Sequence, residues 1–387
     1  MKTNNNKAEI YIHIPFCVRK CAYCDFLSAP ADESVKESYV DALLREIDEK
    51  KDSLQGRSVT SIYFGGGTPS VLNRTLIQKI LNKVNEVFCV EKDAEITIEV
   101  NPGTVSEKDF VFYKNAGINR LSIGLQSAND EELKRLGRIH DYASFLKCYE
   151  DATKAGFYNI NVDLMSSLPG QSVEDYRENL EKIINLKPRP KHISSYSLII
   201  EEGTPFFELH RQGKLALPTE EEDREMYELT DKVLKSAGFE RYEISNYALK
   251  GYESRHNSGY WTGVEYLGLG IGASSYIEGV RYSNIRDIKK YISSDKAEYS
   301  EKITLSGEDM MEEFMFLGLR MTKGISVREF EERFGVGLSE IYGDTIKKHE
   351  DDGLLEYYFD DQTKKRLRLT KKGLDVSNFV FSDFILN

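Results

Sequence analysis

Short apolar runs alternate with longer amphipathic segments over the first 240 residues. The runs occupy residues 10–14, 61–64, 96–100, 120–123, 160–164 and 193–198. In the segments between them, apolar residues recur every three or four positions, as at Val35, Tyr39 and Leu43, which is the spacing of one helix face. Strands that alternate with helices through short loops pair in parallel and carry the helices on the outside. Six such units predict an α/β fold built as a barrel or partial barrel rather than a flat doubly wound sheet.

The pattern changes after the last of these units. A stretch rich in glycine and aromatic residues covers 242–282, and helical spacing returns after residue 291. Two short strand-like runs, 354–359 and 366–370, then flank a turn-prone Asp-Asp-Gln-Thr sequence. We therefore predict a disordered polar tail over 1–9, a core barrel over 10–240, an extension and linker over 241–300, and a small helical, winged-helix-like domain over 301–387.

Polar residues and glycines stand where the predicted strands end. They are Gly65 to Thr68, Glu99, Gln126 and Asp163. The carboxyl ends of parallel strands form the functional face of α/β folds. We therefore expect these positions to meet at one mouth of the barrel.

Composition and charge narrow the classes of function. Hydrophobic residues make up 40% and charged residues 30% of the 387 residues, and the net charge is −12. An extended nucleic-acid-binding surface needs clustered Lys and Arg side chains to contact the phosphates. The net negative charge therefore argues against such a surface. No apolar run approaches the length of a membrane span, and the polar N-terminus lacks the apolar stretch of a signal peptide. These features favour a cytoplasmic protein.

Three of the five cysteines fall within eight residues. Cys17, Cys21 and Cys24 follow the first predicted strand with the spacing C-x3-C-x2-C. An odd count in this arrangement is a poor disulfide framework and a good metal-ligand cluster in a reducing compartment. We interpret the other two, Cys89 and Cys148, as buried thiols.

The number of available ligands distinguishes a zinc site from an iron–sulfur cluster. A structural zinc site takes four ligands, typically in two close pairs. This sequence has no second pair, although His13 lies near the cysteines. Three thiolates suit a [4Fe–4S] cluster in which one iron keeps an open coordination site. We therefore favour a cluster whose open iron takes a substrate or cofactor.

These residues resemble the radical S-adenosylmethionine superfamily, and more closely its coproporphyrinogen-dehydrogenase-like branch, which includes the HemW-type haem chaperones. The motifs are YIHIPFC at 11–17, FGGGTP at 64–69, EVNP at 99–102, SIGLQ at 122–126, DLMSSLPGQ at 163–171 and HNSGYW at 256–261. The resemblance continues more weakly into the C-terminal domain. It implies a partial (β/α)6 barrel of radical SAM type with a C-terminal helical, winged-helix-like domain.

The resemblance also implies cofactors and the residues that hold them. A cluster on Cys17, Cys21 and Cys24 would leave one iron to chelate S-adenosylmethionine, whose reductive cleavage gives a 5′-deoxyadenosyl radical. Residues that match the family's cofactor contacts are Tyr11, Tyr23, Gly66, Gly67, Thr68, Glu99, Gln126, Arg138 and Asp163. Taken alone, the glycines are also typical of a tight turn, Asp163 of a helix N-cap and Arg138 of an exposed helix-end charge.

Two features favour the haem chaperones over the oxygen-independent coproporphyrinogen III dehydrogenases of this branch. The dehydrogenases carry an additional cysteine two residues after the third, where this chain has Phe26, and a substantial extension ahead of the position of Tyr11. The sequence HNSGYW resembles the HNxxYW motif associated with haem in the HemW type. It implies haem contacts at His256, Asn257, Tyr260 and Trp261, with the imidazole as an axial iron ligand. The alternative for this imidazole is a core histidine.

The resemblance implies delivery of haem to acceptor proteins, respiratory membrane enzymes among them, by a cytoplasmic protein that can associate peripherally with the membrane and form a homodimer.

A third interpretation comes from basic residues near the predicted hairpin, namely Lys364, Lys365, Arg366, Arg368, Lys371 and Lys372. Such a cluster is typical of a nucleic-acid-binding wing, but four nearby aspartates weaken its field. We therefore expect a solvated hairpin and no nucleic-acid partner.

Overall fold

The structure, a computed structural model, describes residues 6–386. Its core strands are β1 (Lys7–Ile14), β2 (Ser58–Gly66), β3 (Val90–Val100), β4 (Arg120–Gln126), β5 (Ile160–Ser166) and β6 (His192–Ser197). The helices of this region are α1 (Glu33–Glu49), α2 (Arg74–Val87), α3 (Glu107–Asn115), α4 (Asp130–Leu136), α5 (Tyr142–Lys154), α6 (Val173–Ile184), α7 (Pro205–Arg211) and α8 (Glu220–Ser236). The predicted alternation of strands and helices is confirmed.

Local sequence explains where these helices start and which side they bury. Ser172 and Asp175 form a capping box at the start of α6, and Thr219 and Glu222 form another at α8. A capping box satisfies backbone N–H groups that have no partner within the helix. The apolar stripe of each helix then packs on the sheet, as Leu180 does in α6.

The next segment adds strands to the same sheet. Its elements are β7 (Glu240–Arg241), β8 (Asn246–Ala248), α9 (Arg255–Thr262), β9 (Glu265–Leu269), β10 (Ser274–Ile277), β11 (Val280–Asn284), α10 (Ile288–Ser293) and β12 (Tyr299–Thr304). β12 crosses the boundary expected at residue 300. The strand order is β12-β11-β10-β9-β1-β2-β3-β4-β5-β6-β8-β7.

The barrel is open. β1 to β6 pair in chain order and in parallel. β1 and β6 are not neighbours, because β1 pairs on its other edge with β9 and β6 pairs with β8. The partial (β/α)6 barrel is therefore confirmed, and the carboxyl ends of its six strands share one mouth.

The C-terminal region has a core of its own. Its elements are α11 (Gly307–Gly318), β13 (Ile325–Ser326), α12 (Val327–Phe334), α13 (Leu338–Asp351), β14 (Leu355–Phe359), β15 (Lys365–Leu369), α14 (Lys371–Asp375) and α15 (Ser377–Ser382). Phe330, Tyr342 and Leu367 are buried in a separate apolar cluster. The helices followed by a β14–β15 hairpin agree with the winged-helix-like expectation.

The prediction of a disordered polar tail over 1–9 is wrong for residues 7–9. β1 begins at Lys7, Ala8 pairs with Val59, and Ala8 and Glu9 are buried. The reason is that Glu9, although polar, points into the barrel interior. Residues 1–5 lie outside the described residues.

Most of the basic residues near the hairpin have partners within the protein. Arg366 donates to the carbonyl oxygens of Lys323 and Gly324, and Arg368 pairs with Glu356. Lys371 lies 3.8 Å from a carboxylate oxygen of Glu228. None of the helices in residues 6–386 combines the length and the apolar composition of a membrane-spanning helix.

Candidate functional site

A cavity lies at the mouth of the barrel, bounded by the loop after β1 and by the strand ends. We call it the cysteine cavity; its volume is about 540 Å³. Site residues predicted from the sequence that line it are Cys17, Cys21, Tyr23, Cys24, Gly66, Gly67, Thr68, Glu99, Gln126, Arg138, Asp163 and Asn257. The expectation that the polar strand ends meet at one mouth is confirmed by this arrangement.

The three thiols of Cys17, Cys21 and Cys24 are half-buried on the cavity wall. Burial raises the pKa of Cys17 and of Cys24 above its ordinary value. Within residues 6–386, no three His, Cys, Asp or Glu side chains stand close enough together to hold a metal ion as they are. The donor set is nevertheless that of a [4Fe–4S] cluster with one open iron: three soft ligands on one short loop that faces a cavity.

The glycine loop packs tightly against the cysteine loop. A Cβ at Gly67 would lie 2.6 Å from the carbonyl oxygen of Phe16, and Gly66 has a positive φ of 112°. The amides of Gly67 and Thr68 donate to the carbonyls of Ile14 and Phe16. These amides therefore hold the two loops together, and what the loop offers the cavity is bare Cα surface and the Thr68 side chain.

Glu99 and Asp163 form an acidic pair on the cavity wall. Glu99 accepts hydrogen bonds from the Tyr63 hydroxyl (2.9 Å) and the Gly66 amide (3.2 Å). Burial, and then the negative charge of Asp163, raises the pKa of Glu99 to about 7. Burial also raises the pKa of Asp163, which accepts from Asn161 at 2.7 Å. Asp163 lies inside β5, so it is not a helix N-cap.

Arg138 and Gln126 lie at the end of β4, the strand between those that carry Glu99 and Asp163. The Arg138 guanidinium donates to the Cys21 thiol sulfur (3.6 Å), the Gly124 carbonyl (2.7 Å) and Asn101. Arg138 is therefore not an exposed helix-end charge. Gln126 has a positive φ of 72°, a strained conformation of the kind that clusters at functional sites. Asn101 was not predicted as a site residue, although it belongs to the EVNP motif.

A second cavity lies between the barrel and the C-terminal domain. We call it the interdomain cavity; its volume is about 700 Å³. Tyr11, Tyr260 and Trp261 line it. Tyr11 lines this cavity and not the cysteine cavity, although the centroid of its ring lies 6.3 Å from that of Tyr63, which lines the cysteine cavity. Asp25 and Phe26 line both cavities, so the cysteine loop separates them.

The structure does not bring His256 to the wall of either cavity. Only 1% of the residue is exposed, and its two ring nitrogens lie 2.8 Å from the Ser61 hydroxyl and 2.9 Å from the Tyr260 hydroxyl. Burial, and then the positive charge of Arg120, lowers its pKa to about 3, so the ring is neutral. As it stands, His256 is a hydrogen-bonded core histidine with no free nitrogen for iron.

The two remaining cysteines differ from each other. Cys148 is buried as predicted, and burial raises its pKa to about 12. Cys89 is exposed, so the prediction of a buried thiol is wrong there. The reason is that α2 ends at Val87, and Cys89 falls in the turn before β3.

Comparison with known proteins places this geometry in a family. Residues 11–183 match the model of the radical SAM superfamily, and residues 305–376 match that of the HemN C-terminal domain. A protein of Lactococcus lactis named heme chaperone HemW is 38% identical, covering 97% of each chain. The Escherichia coli protein of the same name is 43% identical over 68% of this chain and 69% of its own.

This chain belongs to the HemW family of the radical SAM superfamily. The fold agrees with that assignment. The solved structure of coproporphyrinogen III oxidase (HemN) from Escherichia coli, a radical SAM enzyme, matches with a TM-score of 0.83. The match covers 98% of this chain and 90% of that one at 22% sequence identity, which establishes the fold alone.

Proposed function

We propose that this protein is a haem chaperone that binds haem, a [4Fe–4S] cluster and S-adenosylmethionine, and delivers the haem to acceptor proteins. The observation that carries the proposal is similarity over nearly the whole chain to proteins named heme chaperone HemW. Phe26, which stands where the dehydrogenases of the branch carry a further cysteine, supports it.

The cysteine cavity is the proposed site of the cluster and of S-adenosylmethionine. Cys17, Cys21 and Cys24 would hold three irons, and Tyr23 would flank the adenine. Gly66, Gly67 and Thr68 offer a close approach to the amino-acid end of the cofactor. When both are bound, the cluster and S-adenosylmethionine supply a one-electron reductive cleavage of the sulfonium.

The remaining wall residues would hold the polar groups of the cofactor. Glu99, Gln126 and Asp163 supply acceptors for ribose hydroxyls and the ammonium group. Arg138 can attract a carboxylate by its charge and donate to it from Nη1, which has a second hydrogen beside the one directed at Cys21. Its bonds to Gly124 and Asn101, both from Nη2, keep the guanidinium oriented before the cofactor arrives.

Binding of S-adenosylmethionine should depend on the ionisation of Glu99. Because the pKa of Glu99 is raised to about 7, the carboxyl is increasingly protonated below that pH and loses its attraction for cations and hydroxyl donors. We expect affinity to fall by up to about tenfold per pH unit below pH 7 and to level off above it. Isothermal titration of the reconstituted protein across this range measures the effect.

The matched control for that prediction is Glu99→Gln. The amide cannot ionise, so the variant loses the part of the pH dependence that comes from Glu99. Identical profiles for the variant and the parent protein would show that Glu99 does not contact the ligand.

The second candidate function is oxygen-independent oxidation of coproporphyrinogen III, favoured by the fold shared with HemN. We expect no turnover, because Phe26 replaces the additional cysteine of the dehydrogenases. Anaerobic incubation of the reconstituted protein with coproporphyrinogen III, S-adenosylmethionine and a reductant, followed by mass spectrometry, tests this. Loss of two carboxyl groups from the substrate would reverse the order of the two proposals.

The direct test of the chaperone proposal is haem transfer. We expect the protein to bind haem, seen as a Soret band, and to pass it to an acceptor apoprotein. Respiratory membrane enzymes are the proposed acceptors, which would require a cytoplasmic protein that meets the membrane peripherally. Light scattering of the reconstituted protein tests the proposed homodimer. A protein that fails to bind haem would not be a chaperone for it.

A further inference from the structure

The HNSGYW motif is divided among three environments. Asn257 lines the cysteine cavity, Tyr260 and Trp261 line the interdomain cavity, and His256 is buried beside Glu9 and Ser61. One short helix, α9, therefore contributes to both cavities. Because His256 contacts the hydroxyl of Tyr260 at 2.9 Å, it can influence the interdomain cavity without reaching it.

The interdomain cavity has the size and lining of a site for a large flat ligand. Its volume of about 700 Å³ lies within the range of about 300–1,000 Å³ that is typical of cofactor sites. Its apolar wall includes Phe26, Trp261, Met310, Phe314, Phe316 and Leu317. Phe316 and Leu317 are only half-buried. Aromatic and methionine side chains of this kind pack well against a planar macrocycle.

The charge of the wall is opposite to that of the whole protein. Five basic side chains line the cavity (Arg281, Arg286, Lys323, Arg333 and Arg366) against three carboxylates (Asp25, Glu313 and Glu329). Arg281 is already paired with Glu313 at 2.8 Å, and Arg366 donates to backbone carbonyls. In the part of the chain that the structure describes, Arg286, Lys323 and Arg333 have no carboxylate within salt-bridge distance. The cavity thus combines an apolar wall with cations that lack anionic partners.

Arg333 is the best placed of these cations. It is half-buried, and its guanidinium lies over the rings of Phe314 (5.9 Å) and Phe334 (5.5 Å). A guanidinium supported on aromatic faces keeps its N–H groups available for an incoming carboxylate. Arg286 and Lys323, both exposed, are available for a second carboxylate.

We propose that the interdomain cavity takes the haem, with Arg333 pairing with a propionate, and that His256 positions Tyr260 instead of ligating the iron. This inference rests on the proposed function and says where in the structure the haem binds. The macrocycle would lie against Tyr260 and Trp261, and the cysteine loop at Asp25 and Phe26 would separate it from the cluster. A carboxylate-bearing macrocycle matches both the apolar wall and the surplus of cations.

Haem titration of the full-length protein, followed at the Soret band, tests the placement. Arg333→Glu should weaken binding by about tenfold or more, because one charge-assisted pair is replaced by a repulsion. Arg328→Glu makes the same charge change on α12, at an exposed position outside the cavity wall, and should leave affinity unchanged. Leu317→Trp, which fills the cavity with an apolar side chain, should also weaken binding.

The dimethyl ester of haem separates propionate pairing from a structural effect of the substitution. Its affinity should be the same for the parent protein and for Arg333→Glu, because the ester has no carboxylate to lose. Equal loss for haem and its ester would overturn the pairing with Arg333.

The role of His256 is tested by spectroscopy and by a double-mutant cycle. His256→Ala should keep the Soret maximum and the ferric EPR spectrum of the parent, because the iron ligands are unchanged. Its effect on affinity should be non-additive with that of Tyr260→Phe, since both remove the same contact. A changed ligand-field spectrum in His256→Ala would make His256 the axial ligand and overturn its positioning role.

The outcomes also separate this placement from the chaperone proposal. If the parent protein binds haem but Arg333→Glu and Leu317→Trp bind it equally well, the placement is wrong and the chaperone proposal stands. If the parent protein binds no haem, both are wrong.

Discussion

Replacement of any one of Cys17, Cys21 and Cys24 by alanine is expected to abolish assembly of the iron–sulfur cluster. Three thiolates leave one iron open, and the loss of another leaves a second iron without a protein ligand. After anaerobic reconstitution, each variant should lack the visible charge-transfer absorbance of a [4Fe–4S] cluster and should contain little iron and sulfide. Haem binding should persist, because none of the three cysteines lines the interdomain cavity, the proposed haem site.

Cys89→Ser is the matched control for these substitutions. Cys89 is exposed and lies outside the cysteine cavity, so its loss costs neither packing nor a ligand. The variant should take up as much iron and sulfide as the parent. A variant lacking Cys17, Cys21 or Cys24 that still assembled a complete cluster would remove that residue from the ligand set.

Replacement of Glu46 by alanine should lower the free energy of unfolding by about 3–5 kcal/mol. Glu46 is buried on α1 and accepts hydrogen bonds from the Gly270 amide (2.9 Å), the Asn284 amide nitrogen (2.7 Å) and the Tyr291 hydroxyl (2.5 Å). Alanine would leave these buried donors without their acceptor, at about 1–3 kcal/mol for each. Urea unfolding of the apoprotein, followed by far-ultraviolet circular dichroism, measures the loss.

Glu37→Ala is the control for that prediction. Glu37 lies on the same helix but is exposed, so its removal should change the free energy of unfolding by no more than about 0.5 kcal/mol. Equal stability of Glu46→Ala and Glu37→Ala would mean that the Glu46 network does not hold the extension strands on the barrel. The network bears on the proposed haem site, because the loop that it fixes after β9 leads directly into the interdomain cavity wall at Gly272 and Ala273.

The barrel and the cysteine cavity could be predicted from the sequence because both depend on local order. Strand periodicity identifies the runs that become β1 to β6, and the parallel arrangement brings the polar residues at their ends together. Glu99, Gln126 and Asp163 therefore line one cavity as expected. The three cysteines fall within eight residues, so their spacing alone predicts that they share one loop.

The environments of Tyr11 and His256 could not be predicted in this way. Tyr11 lines the interdomain cavity together with residues far along the chain, such as Tyr266 and Phe314. His256 is enclosed by Ser61, Glu9 and Tyr260, two of which come from distant strands. A motif names residue types in order, but it does not say which of two adjacent cavities each side chain faces. That choice depends on long-range packing.

The EPR spectrum of the reduced, anaerobically reconstituted protein, with and without S-adenosylmethionine, tests whether three cysteines hold a cluster with one open iron. We expect four irons and four sulfides per chain and a reduced-cluster signal whose g-values shift when the ligand binds the open iron. Zinc in place of iron, or a cluster signal that the ligand leaves unchanged, would contradict this expectation.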